Sequence, residues 1–141
     1  MADESDPHDL ERFVAAQRPL AETVERELRR GRKETHWMWF VFPQVAGLGS
    51  SAHAVRYAIR SRAEAAAYLA HPLLGPRLRD WTALVCGHAG RPIGAIFGAP
   101  DDLKFRSSMT LFDAVAPGEI FGRALDLFFA GARDRATLDR L

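Results

Sequence analysis

HWMWFVF, residues 36–42, is the one stretch of this chain with the content of a β-strand: four aromatic rings and a β-branched valine in seven residues. Its apolar and polar positions do not alternate cleanly, and no second stretch offers a strand to pair with. A lone strand leaves its own backbone N–H and C=O groups unsatisfied. The segment therefore reads as a short helix with Trp37, Phe40 and Val41 on one face, ending before Pro43. With that decided, the chain holds no strand, and the expected fold is a compact single all-α domain over residues 1–141, of about six to eight short helices, with residues 1–6 as a flexible N-terminus.

The flanking sequence carries helical spacing and helix punctuation. Upstream, Asp6 can cap a helix with Pro7 at its first position, and Leu10, Phe13, Val14 and Gln17 then share a face. Pro19 opens a second helix, in which Leu20, Val24 and Leu28 recur every four residues. Glu22–Arg26 and Glu25–Arg29 are spaced as ion pairs along it, and Gly31 stops it. Downstream, Ser61 and Glu64 have capping-box spacing before AAAYLA. Pro72 starts a segment with Leu74, Leu78, Trp81, Leu84 and Val85 as its stripe and Gly87 as its stop. Pro100, followed by Asp101 and Asp102, places carboxylates at the positive end of a helix dipole. Pro117 opens a helix with Ile120, Phe121, Ala124, Leu125, Phe128 and Phe129 as a wide apolar face, and Asp134 caps a last turn.

Composition narrows the classes of function. The 141 residues are 48% hydrophobic and 26% charged, which excludes a disordered chain, and suffice for one core. A formal net charge of +1 argues against nucleic acid as a partner. No run is long and apolar enough to span a bilayer, and MADESDPHD lacks the basic start of a secretory signal, so no membrane association and a cytoplasmic location are expected. The single cysteine, Cys86, makes no internal disulfide and no thiolate zinc site, and reads as a small buried hydrophobe. The five histidines show neither HExxH nor HxH spacing. No cofactor and no metal are expected.

Of 19 basic residues only Lys33 and Lys104 are lysine, and the chain has no asparagine. Where codon supply favours arginine, a retained lysine marks a place that needs a compact point charge. Each lysine sits in an unusual segment. GRKETHWMWFVFPQVAGLGSS, residues 31–51, gathers Lys33, His36, Trp37, Trp39 and Gln44 ahead of a Gly-rich turn. Aromatic faces stack on rings, lysine meets an anion, and glutamine reads a polar edge. The structural alternative makes the tryptophans core. GLGSS is not a Walker sequence, although its N–H groups can face a phosphate. In IFGAPDDLKFRSSMTLFD, residues 96–113, Asp101, Lys104, Ser107 and Ser108 fall over roughly one helical face. They can hold a phosphate or carboxylate, or set a serine beside a lysine as a nucleophile. The alternative is a capped helix with an Asp–Lys pair and small residues at a helix crossing. Arg56, Arg60 and Arg62 beside Tyr57 read as a solvated face.

These segments, with EAAAYLAHPLLGPRL between them, resemble the bacterial family numbered 1810 among domains of unknown function, sometimes labelled calpastatin-like. The resemblance spans Leu10 to Leu138 and implies a compact all-α domain without an assigned activity. Lys33, His36, Trp37, Trp39, Pro43, Gln44, Tyr57, His71, Lys104, Ser107, Ser108 and Thr110 match its blocks. In the order of its segments the chain is also similar to helical N-glycosidases acting on ADP-ribose-type substrates. Their catalytic acidic residue has no counterpart here, Glu34 being the only carboxylate of the first block. The expectation is that Lys33, His36, Trp37, Trp39, Gln44, Lys104, Ser107 and Ser108 converge on one cleft. That cleft would bind or hydrolyse an anionic, ring-bearing, nucleotide-like or ADP-ribose-like small molecule. The competing expectation is a non-catalytic protein-interaction module or a homo-oligomer joined through an aromatic patch around Trp39.

Overall fold

A computed structural model describes residues 5–141, and these hold ten helices and no strand. In chain order the helices are α1 Glu11–Gln17, α2 Ala21–Arg30, α3 Met38–Val41, α4 Ala52–Arg56, α5 Arg62–Ala70, α6 Leu74–Cys86, α7 Ile93–Phe97, α8 Asp101–Val115, α9 Ile120–Phe129 and α10 Arg135–Leu138. Six have seven residues or more; the other four are single turns that fasten the connections. The fold is all-α, as the sequence implies. The turns α4 and α7, too short to show helical periodicity, carry the count past eight.

The stretch at residues 36–42 is a helical turn, α3, with Trp37 and Val41 fully buried and Phe40 nearly so. Just beyond it the chain makes an isolated parallel bridge, Val45 to Ile59. The Ile59 N–H donates to the Gln44 carbonyl at 2.9 Å, and the Ala46 N–H to the Ile59 carbonyl at 2.8 Å. This ties the two ends of the Gly-rich loop together.

Most punctuation acts where the spacing places it. Gly31 ends α2 in the left-handed region at φ 71°, and Ser61 accepts the Glu64 N–H at 3.0 Å. Two details differ. α1 starts at Glu11 rather than at Pro7, because residues 6–10 form turns, and Asp6 caps it from below by accepting the N–H groups of Leu10 and Glu11. Glu25–Arg29 closes at 2.7 Å, but Glu22 and Arg26 do not pair. Of the expected flexible N-terminus, residues 1–4 lie outside the described residues.

Helix α8 is the axis of the molecule. It packs against α5, α7, α9 and α10, and seven consecutive or near-consecutive residues, Phe105 and Ser107 to Phe112, are buried. A helix buried on most of its circumference, polar Ser107, Ser108 and Thr110 included, is one enclosed by others. The aromatic rings at its start join the two unusual segments. Phe105 meets Phe42 at 5.1 Å and Phe97 at 4.9 Å, and Trp37 lies 6.3 Å from Phe42 and 6.5 Å from Phe97. Such pairs add about 0.5–1.5 kcal/mol each beyond area burial. This cluster brings residues 33–44 over the N-terminal half of α8.

Candidate functional site

The site begins at a buried carboxylate. Glu27, on α2, is 2% exposed. It accepts the N–H groups of Glu34 (2.7 Å) and Thr35 (3.0 Å), the Thr35 hydroxyl (2.7 Å) and the Trp37 indole N–H (3.0 Å). Burial alone would push its carboxyl up, but these four donors together hold it below its ordinary value. Residues 33–37 are thereby wrapped around one charge. The Lys33 N–H adds a bond to the Ile96 carbonyl at 2.7 Å, fastening the same segment to α7.

So held, Lys33 aims at the start of α8. Its Nζ donates to the Thr35 carbonyl at 2.6 Å and lies 2.9 Å from Asp101 Oδ2. Its side chain is only 7% exposed. Asp101 Oδ1 lies 3.5 Å from Lys104 Nζ, one helical turn on. Both lysines thus meet one carboxylate at the positive end of the α8 dipole. The Lys104 ammonium also stands 5.3 Å from the centre of the Trp39 ring, within cation–π range. The Trp39 ring lies 4.8 Å from that of His53.

Two clefts meet at this pair. The first, of about 370 Å³, is lined by Lys33, His36, Trp37, Trp39, Asp101 and Lys104 among others. The second, of about 480 Å³, is lined by Trp39, Gln44, Leu103, Lys104, Ser107 and Asp134 among others. Trp39, Pro100 and Lys104 belong to both, so the two adjoin across these residues and together make one trough with a ridge between its halves. Seven of the eight residues singled out in the sequence line it. Ser108 does not: it is fully buried in α8, and its hydroxyl has no partner among the described residues. The hundred-degree step of a helix turns Ser108 into the core while Ser107 faces the trough. Trp37 contributes only a wall; its ring is fully buried and its N–H is committed to Glu27.

In the second cleft Ser107 Oγ lies 2.9 Å from Asp134 Oδ2, which also accepts the Thr137 hydroxyl at 2.5 Å. Asp134 Oδ1 and the Gln44 side-chain amide take no partner among the described residues. Glu27 and Asp134 are the residues that sequence reasoning missed. Glu27 carries no local signal, and Asp134 reads as a helix cap although its carboxylate caps no backbone N–H. The GLGSS turn serves α4 instead of offering a phosphate cradle: Ser51 accepts the Ala54 N–H at 3.1 Å and caps a helix of five residues.

The remaining candidates are accounted for. Arg60 pairs with Glu64 at 2.9 Å, Arg62 donates to the Ala114 carbonyl, and Arg56 lies over Tyr57. Cys86 is half-buried, and burial pushes its thiol up. Among the described residues no three His, Cys, Asp or Glu side chains are grouped to hold a metal, and no helix is long and apolar enough to cross a membrane. A further concavity of about 420 Å³ lies between α2 and α6, lined by Glu25, Arg29, Arg77 and Trp81 among others. Its charged groups face one another, as in the Glu25–Arg29 pair, and it holds none of the eight candidates.

A ten-helix domain with a polar-aromatic trough over its central helix is the class that these features define. The chain belongs to the family described as protein of unknown function (DUF1810), which matches residues 7–141. Among solved structures it is similar to the conserved hypothetical protein Rv1873 from Mycobacterium tuberculosis. The two are 55% identical, with a TM-score of 0.95, over 96% of this chain and 98% of that one. No curated protein matches the chain.

Proposed function

We propose that the trough binds an anionic, ring-bearing small molecule of the nucleotide or ADP-ribose class. The observation that carries this reading is the placing of Lys104. Its contact with Asp101 is loose, it is backed by the Trp39 ring, and it belongs to both clefts. Lys33, short-bonded and enclosed, neutralises Asp101 and leaves Lys104 free to meet an incoming anion. Trp39 offers the ring a stacking face, and the Gln44 amide offers donors and an acceptor.

Binding rather than hydrolysis is what the geometry supports. Of the three carboxylates that line the trough, Asp101 meets two lysines, Asp134 Oδ2 accepts two hydroxyls, and Glu34 lies 3.9 Å from Arg30 at the exposed edge. A protein-interaction module would instead use an exposed aromatic patch. The exposed large apolar side chains among the described residues are all aliphatic: Val55, Leu73, Leu103, Leu127 and Leu138.

A thermal-shift screen of nucleotides, ADP-ribose and sugar phosphates tests the reading. A ligand at 100 times its Kd stabilises by about 2.7 kcal/mol. The expected result is a raised midpoint for the unaltered chain and a lost response in Lys104→Ala. If no anionic ring compound moves the midpoint, the reading fails.

A further inference from the structure

We infer that the cleft at Asp134 is a subsite for a vicinal diol, so that the ligand is a phosphorylated ribose-type compound, its hydroxyls on Asp134 and Gln44 and its phosphate toward Lys104. This rests on the reading of the trough as a binding site and names the class of compound that fills it.

The inference comes from which hydrogen-bonding capacity is left over. Asp134 Oδ2 is filled by Ser107 and Thr137, which fixes the carboxylate in place and leaves Oδ1 without a partner among the described residues, on a residue that lines the cleft. Gln44, on the same cleft, has its whole amide free. An ionised carboxylate only accepts, whereas an amide both donates and accepts. A phosphate placed here would set its oxygens against the Oδ1 lone pairs. An ammonium would suit Asp134 but would face Lys104, which shares this cleft. A neutral amino group satisfies the carboxylate and leaves the Gln44 N–H groups unserved. A hydroxyl both donates and accepts, so two adjacent hydroxyls can give Oδ1 a donor and the Gln44 amide a partner. Trp39 and Leu103 supply apolar walls for the C–H face of the ring. The anion then lies on the other side of the Trp39–Lys104 divide, where Lys33 and His36 also face.

Titration calorimetry with adenosine monophosphate and with its deoxyribose counterpart lacking one hydroxyl of the diol decides the matter, with inorganic pyrophosphate as a probe of the anion site alone. The ribose compound is expected to bind on the order of tenfold or more tightly, since a site built for a hydroxyl rejects the analogue without it. Asp134→Asn is expected to remove most of that preference by weakening the ribose compound more than the deoxyribose compound. Asp134 also serves the start of α10, so Gln44→Ala, at a side chain with no partner in the protein, is the second variant and is expected to narrow the preference too. Equal affinity of the two monophosphates overturns the diol subsite while the binding reading stands. Failure of all three probes to bind overturns the diol subsite, and with a thermal-shift screen that is also silent it overturns the binding reading too.

Discussion

Glu27 and Lys104 act at opposite ends of the same construction. Glu27 is enclosed and fully used, and the loop bearing Lys33 and His36 hangs from it. Its carboxyl lies below the ordinary 4.5 in the folded chain, so its contribution to stability is fully present above that value. That contribution is lost as pH falls through the folded value. Glu27→Gln should therefore cost about 2–3 kcal/mol at neutral pH, because several charge-assisted hydrogen bonds weaken at once. Thermal midpoints at pH 7 and pH 3 check this: the gap between variant and unaltered chain should narrow in acid, and a constant gap would contradict the account. Lys104 is the opposite case, a partly exposed cation with one long ion pair. Lys104→Arg should leave the midpoint nearly unchanged, because arginine can also reach Asp101. It should weaken ligand binding, since a planar guanidinium spreads over the Trp39 face where an ammonium occupies a point. Equal affinity of the two proteins for a ligand found in the screen would refute that role.

Among the elements, α2, α6 and α9 were legible because each carries turns of apolar spacing between a proline and a glycine, and α5 because of its capping box. α2, with Val24 and Leu28 buried and Gly31 behind them, is the clearest. The single turns α4 and α7 were harder to read, since one turn has no periodicity to show; α7 is held by packing against α8. For the site, residue types in two segments pointed to seven lining side chains. The spacing rule that placed Ser108 beside Ser107 was too coarse to separate adjacent positions on a helix. Glu27 was invisible because its partners lie seven to ten residues away in a loop. Glycine offers a test at this scale. A Cβ at Gly75, in the first turn of α6, would run into the Leu69 carbonyl oxygen of α5, which also accepts from Arg79. Gly75→Ala should destabilise by about 1–3 kcal/mol through forced displacement of backbone. At Gly94 in α7 the nearest outside atom to such a Cβ is 3.7 Å away. Gly94→Ala should be neutral or stabilising by about 0.5–1 kcal/mol. Chemical denaturation of both variants checks the contrast; equal effects would show that the α5–α6 approach is not tight.

At the scale of the whole molecule, Arg12 binds the N-terminal helix to the middle of the chain. Its guanidinium meets Glu64 at 2.7 Å and donates to the carbonyls of His8, Asp9, Arg56 and Ala58, with its side chain 5% exposed. Removing one member of such a buried set strands the others. Arg12→Met should cost about 3–5 kcal/mol and lower Tm by on the order of 10 °C in a single transition. A separate early transition would mean that α1 melts alone. The chain's three tryptophans are disposed unequally around this body. Trp37 and Trp81 are sealed, at 0% and 4% exposure, while Trp39 stands half-open on the wall between the two clefts. The protein therefore carries an optical reporter in its trough: a collisional quencher in water should reach one indole emitter of three, and whatever occupies the trough should shield it.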